Sequence, residues 1–189
     1  MAYSGLMLFT SFLWAGSFVV GKILVGHATA LVITLLRWLL SVVCLWPLVW
    51  LKEGKWTPPR RALLPLALMG VTGVALFNVF QFWALGKTTA INVGLISTLN
   101  PLSIAFFAAL FGYERIRLPQ VAAMLLSFSG VVVVISHGNF QQLALLELNS
   151  GDLWMVAAVL IWGVYSICAK WAMQWVSPLM ATLYSGIFG

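Results

Sequence analysis

One basic residue lies deep inside an apolar run, where a charge needs a specific partner. Arg37 follows about nine residues after the start of the second apolar run, and an arginine at the centre of a membrane helix costs roughly 2.5–3.5 kcal/mol. The acidic residues all lie in polar connections or near the ends of apolar runs: Glu53, Glu114, Glu147 and Asp152. We therefore expect the guanidinium to bind backbone carbonyls, an anionic ligand, a residue elsewhere in a longer protein, or an amide such as Asn78, Gln81 or Asn92.

A proline interrupts the fourth apolar run near its middle, directly after Asn100. Because Pro101 has no N–H, the carbonyl of Ser97 loses its helical partner and the helix should bend there. Such interruptions can expose backbone polar groups to a substrate, or they can serve packing alone, and both interpretations stay open. Asn92, Asn100 and Ser103 fall within an arc of about 80°, so we expect this polar side to face protein or water.

The third apolar run carries two amides beside a stripe of small residues. Gly70, Gly73, Phe77 and Gln81 share one narrow stripe, and Asn78 lies beside it. Small residues let helices approach closely. The amides then either form hydrogen bonds between helices or line a cavity.

Aromatic residues recur near the middle of the first and sixth runs. A tryptophan at such a depth is too far from the interface for the aromatic belt. It either packs between helices or stacks on a ligand. The residues that share these faces are Thr10, Trp14, Ser17 and Gly21 in the first run, and Trp162 and Tyr165 in the sixth.

Enzyme chemistry finds no support in the pattern. The sequence contains no nucleophile–base pair, no phosphate-binding loop and no metal-ligand spacing, so we predict neither catalytic residues, nor a metal site, nor a cofactor. Cys44 and Cys168 lie inside apolar runs without a C-x-x-C spacing, which favours small buried residues over a disulfide.

The composition explains why these residues are embedded. Of 189 residues, 62% are hydrophobic and 7% are charged, whereas an average soluble domain carries about 25% charge. A soluble globule, a disordered chain and a coiled coil are excluded. The net charge of +6 comes from basic residues scattered between apolar runs, so we expect no nucleic-acid partner. The predicted fold class is all-α, a polytopic helical membrane protein in the lipid bilayer.

Seven spans follow from the apolar runs, of which the seventh is short. It leaves 12 residues from Pro178 to Gly189, or about 18 Å of helix, against a hydrocarbon core of about 30 Å. We therefore expect the chain to be part of a longer protein. The other spans run at about 5–25, 28–51, 62–85, 89–112, 119–136 and 151–173.

The distribution of Lys and Arg predicts the orientation. Seven basic residues flank one side of the predicted spans and two, Lys22 and Lys87, flank the other. Because cytoplasmic loops carry the excess of basic residues, we expect a cytoplasmic N-terminus, cytoplasmic loops at 52–61 and 113–118, and an external loop at 137–152.

The sequence resembles itself at an offset of 148 residues. W-A-G-S-F-V-V-G-K (14–22) then aligns with W-G-V-Y-S-I-C-A-K (162–170), and Thr34-Leu35 aligns with Thr182-Leu183. The second copy lies five spans after the first, so it would cross the membrane in the opposite direction. Inverted repeats of this kind are typical of secondary transporters.

The chain also resembles a known family, the EamA family of the drug/metabolite transporter superfamily. The resemblance rests on segment 14–22, on L-R-W (36–38), on A-L-G-K-T-T-A-I-N-V-G-L-I-S-T-L-N-P-L (84–102) and on F-G-Y-E-R-I-R-L-P-Q-V-A-A-M-L-L-S-F-S-G-V-V-V-V (111–134). It implies ten helices in two inverted five-helix repeats. Residues 1–137 would then form the first repeat, 138–150 an external connecting loop, and 151–189 the start of a truncated second repeat.

The resemblance implies an exporter of small metabolites, such as amino acids or drug-like solutes, that works by alternating access in a bacterial inner membrane. The implied partners are a small-molecule substrate and either the missing C-terminal repeat or a second copy. The alternative is a truncated, non-transporting membrane subunit that serves as a scaffold or in a lipid-carrier assembly. For transport, the predicted substrate-binding residues are Trp14, Ser17, Arg37, Asn78, Gln81, Asn100, Pro101, Trp162 and Tyr165.

Overall fold

The computed structural model of the chain describes residues 2–54, 57–113, 118–135 and 149–189. Within these ranges the regular structure is helical, without a strand. The helices are α1 (Ala2–Leu24), α2 (Ala30–Glu53), α3 (Arg60–Lys87), α4 (Ala90–Leu110, in two segments), α5 (Leu118–Ile135), α6 (Ser150–Ala172) and α7 (Pro178–Phe188).

Five of these helices are long and apolar enough to cross a membrane: α1, α2, α3, α4 and α6. The α7 helix is shorter, with 11 residues. Helices occupy all seven predicted spans, and the predicted fold class of a polytopic helical membrane protein is confirmed. The predicted external loop lies outside the described residues, apart from its last positions.

Local sequence signals set where the helices begin and end. Thr29 caps α2 by accepting a hydrogen bond from the backbone N–H of Val32, and Ser177 caps α7 in the same way. Such caps satisfy N–H groups that have no partner within the helix. At the other end of α2, Gly54 adopts a left-handed conformation with φ 62°, which glycine accepts at low cost.

The α6 helix lies at the centre of the bundle. It packs along its length against α3 and α4, whereas α7 packs between α2 and the first half of α3. Gly163 makes the closest approach possible, because a Cβ atom there would collide with Ser103 and Phe107 of α4. The first helix packs mainly against the second half of α3 and the first half of α4, and most of its surface is exposed.

Contacts at the helix ends show which ends lie together. At one end of the bundle, the Lys22 ammonium donates hydrogen bonds to the carbonyls of Leu85 (2.5 Å) and Thr88 (2.7 Å). At the other end, the Ser177 hydroxyl donates to Glu53. This grouping agrees with the predicted order of crossings. Which end faces the cytoplasm stays a prediction.

The helix boundaries repeat at the offset seen in the sequence. Adding 148 to the bounds of α1, Ala2–Leu24, gives those of α6, Ser150–Ala172. The same offset relates the first residues of α2 and α7 and their caps, Thr29 and Ser177. The bounds of α1 and α6 and the starts of α2 and α7 therefore match at this offset.

Candidate functional site

Among the described residues, a large cavity lies between α1 and α4, with one residue of α6 at its wall, and has a volume of about 1120 Å³. The described residues that line it carry no charge. Four of the predicted site residues are among them: Trp14, Asn100, Pro101 and Trp162.

The wall of the cavity includes the break in α4. This helix stops at Ser97 and restarts at Asn100, and the N–H groups of Thr98 and Leu99 donate to carbonyls only three residues back, each at 3.0 Å. Pro101 stands in the first turn of the second segment, where its missing N–H costs least. The predicted interruption at this proline is confirmed.

Hydrogen-bond acceptors accumulate at the break. The Ser97 and Thr98 hydroxyls both donate to carbonyls of their own helix, at 2.5 and 2.6 Å, which leaves their oxygens able to accept. The Oδ1 atom of Asn100 is buried without a hydrogen-bond partner among the described residues, as is the Oγ atom of Ser103, which faces Gly163 of α6 and does not line the cavity. Buried polar atoms are rarely left so. The lining residues Ser97, Thr98 and Asn100 therefore place hydrogen-bond acceptors at the break.

Aromatic rings form the wall next to α6. The rings of Trp14 and Trp162 meet edge to face with centroids 5.4 Å apart. Trp162 also contacts Phe77 at 4.6 Å and Tyr165 at 4.8 Å. Such contacts contribute about 0.5–1.5 kcal/mol beyond the area they bury. The cluster holds α1, α3 and α6 together and presents Trp14 and Trp162 to the cavity.

The middle of α3 is π-helical over Gly70–Leu76. Where a π segment returns to α-helix, the spacing of hydrogen bonds changes and one carbonyl lacks a backbone donor. The Asn78 amide donates to the carbonyls of Gly73 (3.1 Å) and Val74 (2.9 Å) at this place. Gly73 faces Tyr165, whose ring occupies the space of a Cβ atom. Asn78 and Gln81 are thus buried in the packed interior behind the cavity, beside the half-buried Tyr165, and none of the three lines the cavity.

Ser17 and Arg37 lie elsewhere, in a second cavity of about 430 Å³ between α1 and α2. The Arg37 guanidinium donates to Oδ1 of Asn78 at 3.5 Å and lies 5.5 Å from the ring centroid of Phe82. Asn78 is one of the amides expected as a partner. The nine predicted site residues therefore divide between two cavities and the packed interior.

The sequence did not predict several of the residues that line the cavity. Gly94, Thr98 and Ser11 all line the larger cavity but were not among the predicted site residues. The signal in α4 was a helical spacing of small and polar residues at Gly94, Ser97 and Thr98, which share one face at i, i+3 and i+4.

These features define a polytopic helical membrane protein with an open cavity beside a broken helix. The sequence matches the EamA-like transporter family over residues 2–136. The chain belongs to this family, and the resemblance found in its motifs is confirmed.

Curated relatives carry transporter names. An uncharacterized transporter of Archaeoglobus fulgidus is 30% identical over 162 residues, covering 86% of this chain and 55% of the relative. An S-adenosylmethionine/S-adenosylhomocysteine transporter of Chlamydia trachomatis is 26% identical over 139 residues, with coverage of 74% and 42%. The aromatic amino acid exporter YddG of Ancylobacter novellus is 32% identical over 108 residues, with coverage of 56% and 37%.

The chain spans about half the length of the curated relatives that it matches. No solved structure matches it significantly.

Proposed function

We propose that this chain forms part of an exporter of small metabolites in a bacterial inner membrane, with its N-terminus in the cytoplasm. The observation that carries the proposal is the uncharged cavity of about 1120 Å³ at the break of α4. Substrate sites of secondary transporters lie near the midplane and are typically formed by discontinuous helices. Family membership and the transporter names of the relatives support the same function.

The wall of the cavity suggests the class of substrate. Trp14 and Trp162 offer apolar and aromatic surface, and the break offers acceptors at Ser97, Thr98 and Asn100. An amino group on an apolar or aromatic solute would meet both requirements. We therefore propose amino-acid-like or drug-like solutes, with Asn100 accepting a hydrogen bond from the substrate.

Alternating access needs a second repeat. The correspondence between α1 and α6 supports a ten-helix arrangement in which residues 1–137 form the first repeat, 138–150 connect, and 151–189 begin an inverted second repeat. The remaining helices, or a second copy, would close the cavity on the exposed side of α1. In this arrangement the wall of the cavity is held in place by Asn78, Gln81 and Tyr165. Ser17 and Arg37 belong to the smaller cavity between α1 and α2.

The profile of small molecules in the growth medium tests the proposal. Cells that produce the full-length protein should release at least one amine-bearing solute in excess over cells without it. Asn100→Ala should reduce that excess while the amount of protein in the membrane stays the same. An unchanged medium with abundant, folded protein would contradict transport and favour a scaffolding subunit.

A further inference from the structure

The cavity between α1 and α2 is a groove of a different character from the larger cavity. Seven of the residues that line it belong to α1, and they extend from Phe12 to Leu24. At 1.5 Å per residue this is a length of about 18 Å along the helix. The two cavities share no residue of α1 and occupy different faces of it.

One cation, Arg37, lies in this groove, and Ser17 is the other polar residue among those described that line it. Arg37 has five N–H donors, and the described residues offer them one distant acceptor, Oδ1 of Asn78 at 3.5 Å, and the face of Phe82. No carboxylate among the described residues pairs with it. A guanidinium within a membrane is costly unless an opposite charge or further acceptors accompany it. The described part of the groove therefore lacks an anion to pair with the Arg37 guanidinium.

We propose that this groove binds an anionic phospholipid of the surrounding bilayer. The phosphate would take the fork of the Arg37 guanidinium, which matches two phosphate oxygens at once. An acyl chain would lie along α1, where the groove offers Gly16, Val20 and Phe12. Side chains on a helix tilt toward its N-terminus, which for α2 is the end near Leu24 of α1. The lipid head group bound to Arg37 would therefore lie toward Leu24, and the acyl chain would run toward Phe12.

Two variants separate the charge from the groove. Arg37→Met removes the cation, and Lys52→Met is its control, because Lys52 is a cation of the same helix outside the groove. Gly16→Leu fills the groove, since no atom lies within 4 Å of a Cβ built at Gly16. Gly5→Leu is its control, with equally open space on the same helix and no part in the groove.

Lipid retention by the purified chain in non-ionic detergent measures binding. Dioleoyl phosphatidylglycerol and dioleoyl phosphatidylcholine are titrated separately, and bound lipids are counted by native mass spectrometry. We expect about tenfold tighter retention of the anionic lipid, as a charge-assisted hydrogen-bond pair provides. Arg37→Met should abolish this preference and Gly16→Leu should reduce the retention of both lipids, while the two controls bind like the parent.

Equal retention of the two lipids by the parent chain would overturn the proposal. An undiminished preference for the anionic lipid in Arg37→Met would also overturn it, and so would undiminished lipid retention in Gly16→Leu. If Arg37→Met does not fold, the Gly16→Leu result alone decides. The titration is repeated on the full-length protein. Loss of the preference there would show that another helix fills the groove, and would also overturn the proposal. None of these outcomes depends on transport.

Discussion

Trp14 and Trp162 contact each other edge to face, with ring centroids 5.4 Å apart and planes at 79°. They are also separated by 148 positions, the offset that relates the bounds of α1 to those of α6. A two-fold axis carries each residue of one repeat onto the corresponding residue of the other. Two corresponding residues can therefore contact each other only if both lie close to that axis. The contact is thus what a pseudo-two-fold axis between α1 and α6 would produce, and it lies at the wall of the larger cavity.

A double-mutant cycle on this pair tests whether the contact stabilises the bundle. Trp14→Ala and Trp162→Ala should each lower the free energy of unfolding in detergent, with a coupling of about 0.5–1.5 kcal/mol between them. The exposed Trp50 of α2 provides the control cycle with Trp162, in which distant sites should add without coupling. Equal coupling in the two cycles would show that the rings do not interact.

Replacement of the proline at the break should straighten α4. Pro101→Ala supplies the missing N–H for the Ser97 carbonyl and favours a continuous helix, so transport by the full-length protein should fall while its abundance is kept. Pro47→Ala is the matched control, because Pro47 also lies inside a helix but away from the cavity. Normal transport by Pro101→Ala would reduce the role of this proline to packing.

The close approach of α6 to α4 depends on Gly163, which has no side chain. In Gly163→Ala the new methyl group would collide with Ser103 and Phe107, and overpacking of this kind destabilises by about 1–3 kcal/mol. Gly130→Ala, on α5 with open space around it, should instead stabilise by up to about 1 kcal/mol. Thermal unfolding in detergent compares the two. A change of the same sign in both would argue against the close packing of α4 and α6.

The orientation follows from labelling at two exposed positions. With Cys44 and Cys168 replaced, His27→Cys lies at the end of the bundle that holds Lys22, and Lys52→Cys lies near the opposite end. An impermeant thiol reagent on intact cells should label position 27 at once and position 52 only after lysis. The reverse pattern would place the N-terminus outside.

Much of the fold was predictable because its signals are local. Apolar runs of sufficient length gave the helices, and Pro101 gave the break in α4, since a proline acts on the carbonyl four residues before it whatever the tertiary structure. The π-helical segment of α3 was not predictable. It accompanies the packing of Tyr165 against Gly73, a contact between residues far apart in the sequence.

The grouping of the site residues was only partly predictable for the same reason. Helical spacing places Trp14 and Ser17 on one broad face of α1, yet the structure puts them in separate cavities. Which side of a helix meets α4 and which meets α2 depends on how the helices pack. Spacing within one helix carries no information on that choice.

Filling the larger cavity tests most directly whether it is the path of the substrate. Gly94 lines it, and a Cβ atom there would stand 3.9 Å from Phe18, in ordinary contact. Gly94→Leu therefore should fold as well as the Gly5→Leu control while occupying the space of the substrate. We expect export by the full-length protein to fall about tenfold or more, equivalent to a loss of ~1.4 kcal/mol, with membrane abundance and unfolding temperature equal to those of the control. Export at the level of the control would show that the larger cavity is not the path of the substrate.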